Sequence, residues 1–287
     1  MICKFCSKPN NLLYQKLEDY YFETGVHSDY WECTSCHVIQ SEYDKLKLDH
    51  AYSDYYTQKP IHNSKSYFKK FTFYFLSKLS KFKFINVICD RRPFLGATKY
   101  SFRKGSKVLD FGYGSGQKLE FYADIFDECH GYDLYPQNIE RLRAKGINIH
   151  RTLSSLPKHF DFIVLDNVIE HVEDPLTLLN FLMSLLKSNG TLVLITPNYH
   201  SIAHNMLKKH WRGLESPRHI CIFSKAYFQN LKIGNGIKVL NNWKADRFIF
   251  KQARNKNLSP KSWKFITYYA RRLTGGASSE MIVQIFK

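Results

Sequence analysis

No apolar run in this 287-residue chain approaches the ~20 residues that span a bilayer, which argues against a transmembrane helix. The opening Met1-Ile2-Cys3 lacks the charged-then-apolar layout of a signal peptide. The expected location is therefore the cytosol, with peripheral contact to a membrane as the one route to lipid. There is no internal repeat and no long low-complexity linker, so solenoid and disordered-linker architectures are excluded. Acidic residues are in the minority, 25 against 42 Lys and Arg, for a net charge of +17. In a reducing compartment the seven cysteines read as metal ligands or buried small residues rather than disulfides.

The charge is unevenly spread. Residues 1–50 carry a net −3, residues 51–107 +11, residues 108–200 −5 and residues 201–287 +14. Two basic segments flanking an acidic middle favour an anionic partner, such as a nucleotide-activated molecule, a nucleic acid or an anionic lipid surface.

Four of the cysteines form two matched knuckles, Cys3-x2-Cys6 and Cys33-x2-Cys36, 26 residues apart. Two such turns complete a tetrahedral four-thiolate site, the pattern of structural zinc. Four protein ligands leave no open position, so no catalysis is assigned to it. His27 and His37 lie near the knuckles, with nothing to favour them over a cysteine. Leu12-Leu13-Tyr14 and Tyr20-Tyr21-Phe22 read as short strands of a hairpin between the knuckles. Cys89, Cys129 and Cys221 lack partners at metal spacing and read as packing residues.

Between Tyr67 and Phe84, Phe68, Phe71, Phe75, Leu79 and Phe82 recur at helical intervals with lysines interspersed. Such a helix either packs its phenylalanines on a core or lies on anionic lipid. An aromatic stripe more often belongs to a core.

From residue 107 the pattern alternates between strand and helix, which implies an α/β fold with a parallel sheet covered on both faces. Lys107–Phe111, Phe160–Leu165 and Thr191–Thr196 read as strands, and Ile237–Leu240 and Met281–Phe286 as closing strands. Pro175–Lys187 reads as a helix, with proline in its first turn and Gly190 after its end. The expected organisation is a zinc-ribbon module over 1–50, a basic aromatic cap over 51–106 and a catalytic domain over 107–287.

Gly112, Gly114 and Gly116 follow the first strand directly, where glycine lets the backbone turn tightly against a ligand. Asp133 ends the second strand, where a carboxylate can accept both ribose hydroxyls of an adenosine. The loop reads GxGxG, whereas dinucleotide enzymes use GxGxxG.

With Leu109–Gly116, Gly131–Asp133, Asp166–Pro175, Thr196–Asn198, Trp211–His219 and the cysteine pairs, the chain resembles class I S-adenosylmethionine-dependent methyltransferases. More narrowly, it is similar to bacterial members that carry an N-terminal four-cysteine zinc module and often act on sugars or cell-surface glycans, and more distantly it resembles the ubiquinone-pathway O-methyltransferases. The resemblance implies a Rossmann-like seven-stranded sheet and S-adenosylmethionine as cofactor. It places Asp110, Gly112, Gly114 and Gly116 around the methionine portion, Asp133 at the ribose and Asn167 beside the cofactor. In the ubiquinone-pathway enzymes the position of Asn167 holds a glutamate that helps bind a divalent ion, and no catalytic magnesium is expected here.

Transfer to oxygen or carbon requires a base, and histidine is the natural one near neutral pH. His171 and His219 are the catalytic candidates, with His200 behind them. Each could equally be a structural histidine under a loop. Trp211, Arg212 and Arg218 could hold an anionic acceptor by stacking and bidentate contacts, or could anchor a packed loop. The expected acceptor is an anionic small molecule, a nucleotide sugar or a lipid-linked saccharide. The alternatives are an RNA methyltransferase, against which the acidity of the cysteine module speaks, and a non-catalytic binding protein, against which the intact glycine loop and Asp133 speak.

Overall fold

A computed structural model describes residues 1–42, 44, 46, 105–124, 126–258 and 263–287. The aromatic Tyr67–Phe84 stretch, with the whole 51–104 segment and Cys89, lies outside the described residues.

Seven strands make the main sheet: β4 (Lys107–Phe111), β5 (Glu128–Tyr132), β6 (Asn148–His150), β7 (Phe160–Asp166), β8 (Leu186–Pro197), β10 (Gly236–Asn242) and β11 (Glu280–Phe286). Their order is β10-β11-β8-β7-β4-β5-β6. β4 to β8 run parallel, and β11 runs antiparallel between β8 and β10. This is the Rossmann-like seven-stranded sheet that the sequence resemblance implies. β7, Phe-Asp-Phe-Ile-Val-Leu-Asp, is buried almost throughout, as a central parallel strand must be when both faces are covered. Separate apolar clusters pack on the two faces, one holding Leu109, Ile163, Leu192 and Val283 and the other Val108, Phe162, Val193 and Ile282. That alternation along each strand follows the period of two.

The helices that cover the sheet start where the sequence supplies caps. The expected helix at 175 is α3 (Pro175–Leu185), after α1 (Gln117–Ala123) and α2 (Ile139–Arg143). The Asp174 side chain accepts the Thr177 amide at 3.1 Å, and Pro175 sits in the first turn, where no donor is lost. Leu186 does not close this helix as expected but begins β8, so Leu186 to Gly190 extend that strand before its apolar run. Beyond β8 come α4 (Ile202–Leu207), the two-residue strand β9 (Cys221–Ile222), α5 (Lys225–Asn230), α6 (Trp243–Asn255) and α7 (Trp263–Leu273).

The antiparallel setting of β11 matters for the site. Glu280 pairs with Pro197, so the first residue of the last strand lies at the carboxyl end of β8. That edge is where ligands bind in open α/β sheets.

The N-terminal residues form β1 (Asn10–Glu18), β2 (His27–Cys33) and β3 (Ile39–Ser41). β3 pairs with β9 through Ile39 with Ile222 and Gln40 with Cys221, so a strand from the catalytic half completes this second sheet. Leu12–Tyr14 falls in β1 as expected, but Tyr20–Phe22 is a turn rather than a strand. The Asp19 carboxylate accepts the amides of Tyr21 and Phe22 at 3.1 and 3.0 Å, which closes the chain locally and removes those donors from any ladder. Cys129 and Cys221 are buried packing residues. Among the described residues no helix is long and apolar enough to cross a membrane.

Candidate active site

The glycine loop joins β4 to α1. Gly112, Gly114 and Gly116 all take left-handed backbone angles, with φ of 79°, 54° and 81°. A Cβ on Gly112 would meet Val168 at 2.5 Å, so side chains are excluded here by space as well as by conformation. The Gly112 amide donates to the Tyr132 carbonyl at 2.7 Å, and the Gly114 amide to Asp133 Oδ2 at 2.8 Å. The other Asp133 oxygen accepts the Tyr135 amide at 2.9 Å. Asp133 thus fixes the loop against the end of β5 while its carboxylate stays half-buried at the crevice.

The floor of this crevice is rich in carboxylates. Asp110 is buried on β4, and burial, with Asp166 and Asp133 nearby, pushes it up to about 7 against the pull of Lys118. Burial and Asp166 likewise push Glu280 up to about 7. Lys118 reaches Asp166, and the Asn167 amide group donates to the other Asp166 oxygen at 3.0 Å. A crevice with two carboxyls held partly protonated by repulsion and desolvation suits a cationic ligand, whose charge would relieve both. The sulfonium and ammonium of S-adenosylmethionine fit that demand, and the glycine loop gives its backbone room.

Beside the crevice lies a cavity of about 110 Å³, lined by Asn167, Pro197, Arg212, Gly213, Glu215, His219, Phe248, Ile249, Ser279 and Glu280. Of the residues expected to act on the acceptor, the structure brings Arg212 and His219 to this cavity. Arg212 is held by Glu215 at 3.5 Å, with its guanidinium over the rings of Tyr21, Phe22 and Phe248. His219 is buried, and its Nδ1 lies 2.8 Å from the Gly213 carbonyl, which sets Nδ1 as the donor and leaves Nε2 a bare lone pair. His171 packs edge-on to it at 4.6 Å, its own Nδ1 held by the Arg218 carbonyl at 2.9 Å. Burial and then His171 drive His219 down to about 3, and burial lowers His171 as well. Both rings are neutral at pH 7.

Trp211 and Arg218, expected to hold an acceptor, are placed elsewhere. Trp211 is 1% exposed and packs with Tyr30, Leu207 and Leu214 beneath the segment. Arg218 is 1% exposed, pairs with Asp19 at 2.9 Å and Glu215 at 3.2 Å, and stacks on Phe22 at 4.1 Å. A guanidinium so engaged ties the 211–219 segment to the Asp19 turn. Burial works against ionisation of Glu215, but His219, Arg212 and Arg218 outweigh it and hold its carboxyl below the ordinary range.

Among the cavity residues that were not sequence candidates are Glu280, Glu215 and Phe248. Glu215 lies within the Trp211–His219 motif, so a signal was present. Nothing local marks Glu280, and only the antiparallel return of β11 carries it to the site.

Outside the crevice, Cys3, Cys6, Cys33 and Cys36 converge, with all four sulfurs within 4.8 Å of one another. Cys3 and Cys36 lie 3.6 Å apart and Cys6 and Cys33 3.4 Å apart, close to the ~3.8 Å edge of a zinc–thiolate tetrahedron with bonds near ~2.3 Å. Burial works against a thiolate at Cys33, yet amide hydrogen bonds from Cys36 and Ser35 outweigh it and bring the thiol down to about 6. Gln40 Nε2 donates to Cys3 at 3.0 Å. These donors steady the sulfurs as ligand orientation requires.

Residues 81–241 match the methyltransferase domain family. The chain belongs to that family of S-adenosylmethionine-dependent methyltransferases. The chain is similar to the ubiquinone biosynthesis O-methyltransferase of Xanthomonas campestris pv. campestris, 30% identical over 105 residues that cover 33% of this chain and 44% of that protein. It is also similar to the mitochondrial ubiquinone biosynthesis O-methyltransferase of Schizosaccharomyces pombe, 36% identical over 104 residues, 32% of this chain and 38% of that one. The chain thus spans less than half the length of the curated relatives it matches. Among solved structures, plantazolicin methyltransferase BamL, in complex with a desmethylPZN analog and S-adenosylhomocysteine, is 18% identical with a TM-score of 0.46, covering 75% of this chain and 90% of that one.

Proposed function

We propose that this methyltransferase moves a methyl group from S-adenosylmethionine to an anionic small molecule, of the nucleotide-sugar or lipid-linked saccharide class. The observation that carries this reading is the cavity at the carboxyl end of β8, whose lining includes Arg212, Glu280 and His219. The cofactor supplies an already activated sulfonium methyl. Asp133 would hold the ribose, and the Gly112–Gly116 loop with Asp110 and Asn167 would hold the methionine portion. The remaining work is to align the acceptor and take its proton.

Arg212 is suited to an acceptor phosphate or carboxylate, since its planar fork already stacks among Tyr21, Phe22 and Phe248. Glu280 is the better base of the two candidates. A carboxyl at about 7 accepts a proton near neutral pH, whereas an imidazole at about 3 holds one poorly. His219 then orients the acceptor by accepting a hydrogen bond at Nε2, with His171 as the ring that packs it in place. The four thiolates hold a structural zinc that fixes the N-terminal module, with no part in the chemistry.

The test is transfer of labelled methyl groups from S-adenosylmethionine into an extract of the source organism, separated into RNA, protein, lipid and small anionic metabolites. Label in the metabolite or lipid fraction supports the reading and gives an acceptor to purify. Label confined to RNA overturns it, and binding that weakens steeply with salt would accompany that outcome.

A further inference from the structure

A second cluster of metal-type donors lies beside the cysteine knuckles and is formed by none of the cavity's residues. Glu32 on β2, His37 in the turn after Cys36, and His200 in the turn after β8 each offer a ligand atom, and these atoms lie within 4.8 Å of one another. Glu32 Oε1 is 3.3 Å from His37 Nδ1, and the His37 and His200 rings are 5.4 Å apart. The Tyr199 hydroxyl donates to the other Glu32 oxygen at 2.7 Å. That bond fixes the carboxylate so that Oε1 is the oxygen turned to the imidazoles, which is how outer hydrogen bonds orient a ligating carboxylate.

His37 takes a left-handed φ of 53°, uncommon for a residue with a side chain. The turn thereby sends the imidazole to Glu32 rather than to the adjacent thiolates. His200 is exposed and His37 is 44% exposed, so little apolar burial is gained by bringing them together.

We propose that Glu32, His37 and His200 form a second divalent-metal site of the zinc class, at the seam between the cysteine module and the catalytic sheet. Two imidazoles and one carboxylate are a donor set that zinc accepts, and its tetrahedral edges of roughly 3.3–3.5 Å, for bonds near ~2.1 Å, are reached by small rotations of these side chains. Three protein ligands leave one position for water. The ion cross-links His37 beside the second knuckle to the end of β8, the strand whose Pro197 borders the acceptor cavity.

The experiment is a cobalt titration of the metal-free full chain, read by absorbance, with zinc content measured separately after equilibrium dialysis. The expected result is one equivalent that develops thiolate-to-metal charge transfer, then a second that adds only weak d–d bands. Zinc content should be two per chain in the wild type and one in His37→Ala/His200→Ala, with the charge-transfer band of the first equivalent retained. A titration that ends at one equivalent, or a double variant that still holds two ions, overturns the proposal. The reading of the cysteines as a zinc site fails separately, by absence of the charge-transfer band, so the two failures are distinguishable.

Discussion

At the scale of single residues, the protonation states of Glu280 and His219 divide their roles. A base must be deprotonated to act, so kcat/KM for S-adenosylmethionine, which reports the cofactor-free enzyme, should rise with pH through about 7. Glu280→Gln is expected to lower kcat about 100-fold or more and to flatten that rising limb. His219→Ala should lower turnover while leaving both the limb and cofactor affinity in place, because the imidazole stays neutral throughout this range. A limb that survives unchanged in Glu280→Gln would remove Glu280 as the base. Asp133→Ala should abolish cofactor binding measured calorimetrically, and unchanged affinity would sink its assignment to the ribose. The glycine loop, Asp110 and Asp133 were legible in the sequence because they are local to one strand–loop–helix unit. Glu280 was not legible, since it follows two serines in no motif and acquires its meaning only from pairing with Pro197. Trp211 and Arg218 show the opposite difficulty. Their position in a motif was visible, but the direction of each side chain depends on what packs beneath it.

At the scale of elements, the cysteine module and the 211–219 segment are joined by a small buried ionic network. Arg218 lies between Asp19 and Glu215, all three buried, with Phe22 stacked on the guanidinium. Removing the cation would leave Asp19 out of water without this partner and Glu215 with Arg212 at 3.5 Å. Arg218→Ala is therefore expected to destabilise the fold by about 3–5 kcal/mol, read from denaturant midpoints, because the cost of an uncompensated buried charge far exceeds that of a surface pair. A loss below about 1 kcal/mol would place the pair in the weak, solvent-exposed class instead. The knuckles and the helix at 175 could be read ahead of the structure, since spacing and capping are short-range. The Asp19 turn was mistaken for a strand because aromatic residues favour strands, and the Asp19 carboxylate that accepts the Tyr21 and Phe22 amides overrides that preference. Here Tyr21, Phe22 and Phe248 pack around Arg212, a contact across nearly the whole chain.

At the scale of the whole molecule, Asp110 of the acidic middle and Glu280 of the basic C-terminal segment meet at one end of the sheet, and this gives cofactor binding a proton signature. Asp110 and Glu280 stand at about 7 in the folded chain, against ordinary values of 3.8 and 4.5. Between those limits the unfolded chain binds fewer protons than the folded one, so the stability contributed by these groups falls as pH rises toward 7 and then levels off. A cation brought to the crevice favours the ionised carboxylates and draws their values back down. Binding of S-adenosylmethionine at pH 7 should therefore release protons, and S-adenosylhomocysteine, which lacks the sulfonium charge, should release fewer. Calorimetric titrations in two buffers of different ionisation enthalpy measure this directly. A buffer-dependent enthalpy for the sulfonium form that shrinks for the thioether is the expected result. Equal proton release for the two ligands would mean that the carboxylates respond to the shared ammonium or to loop closure, and the sulfonium would then have to be stabilised by groups other than Asp110 and Glu280.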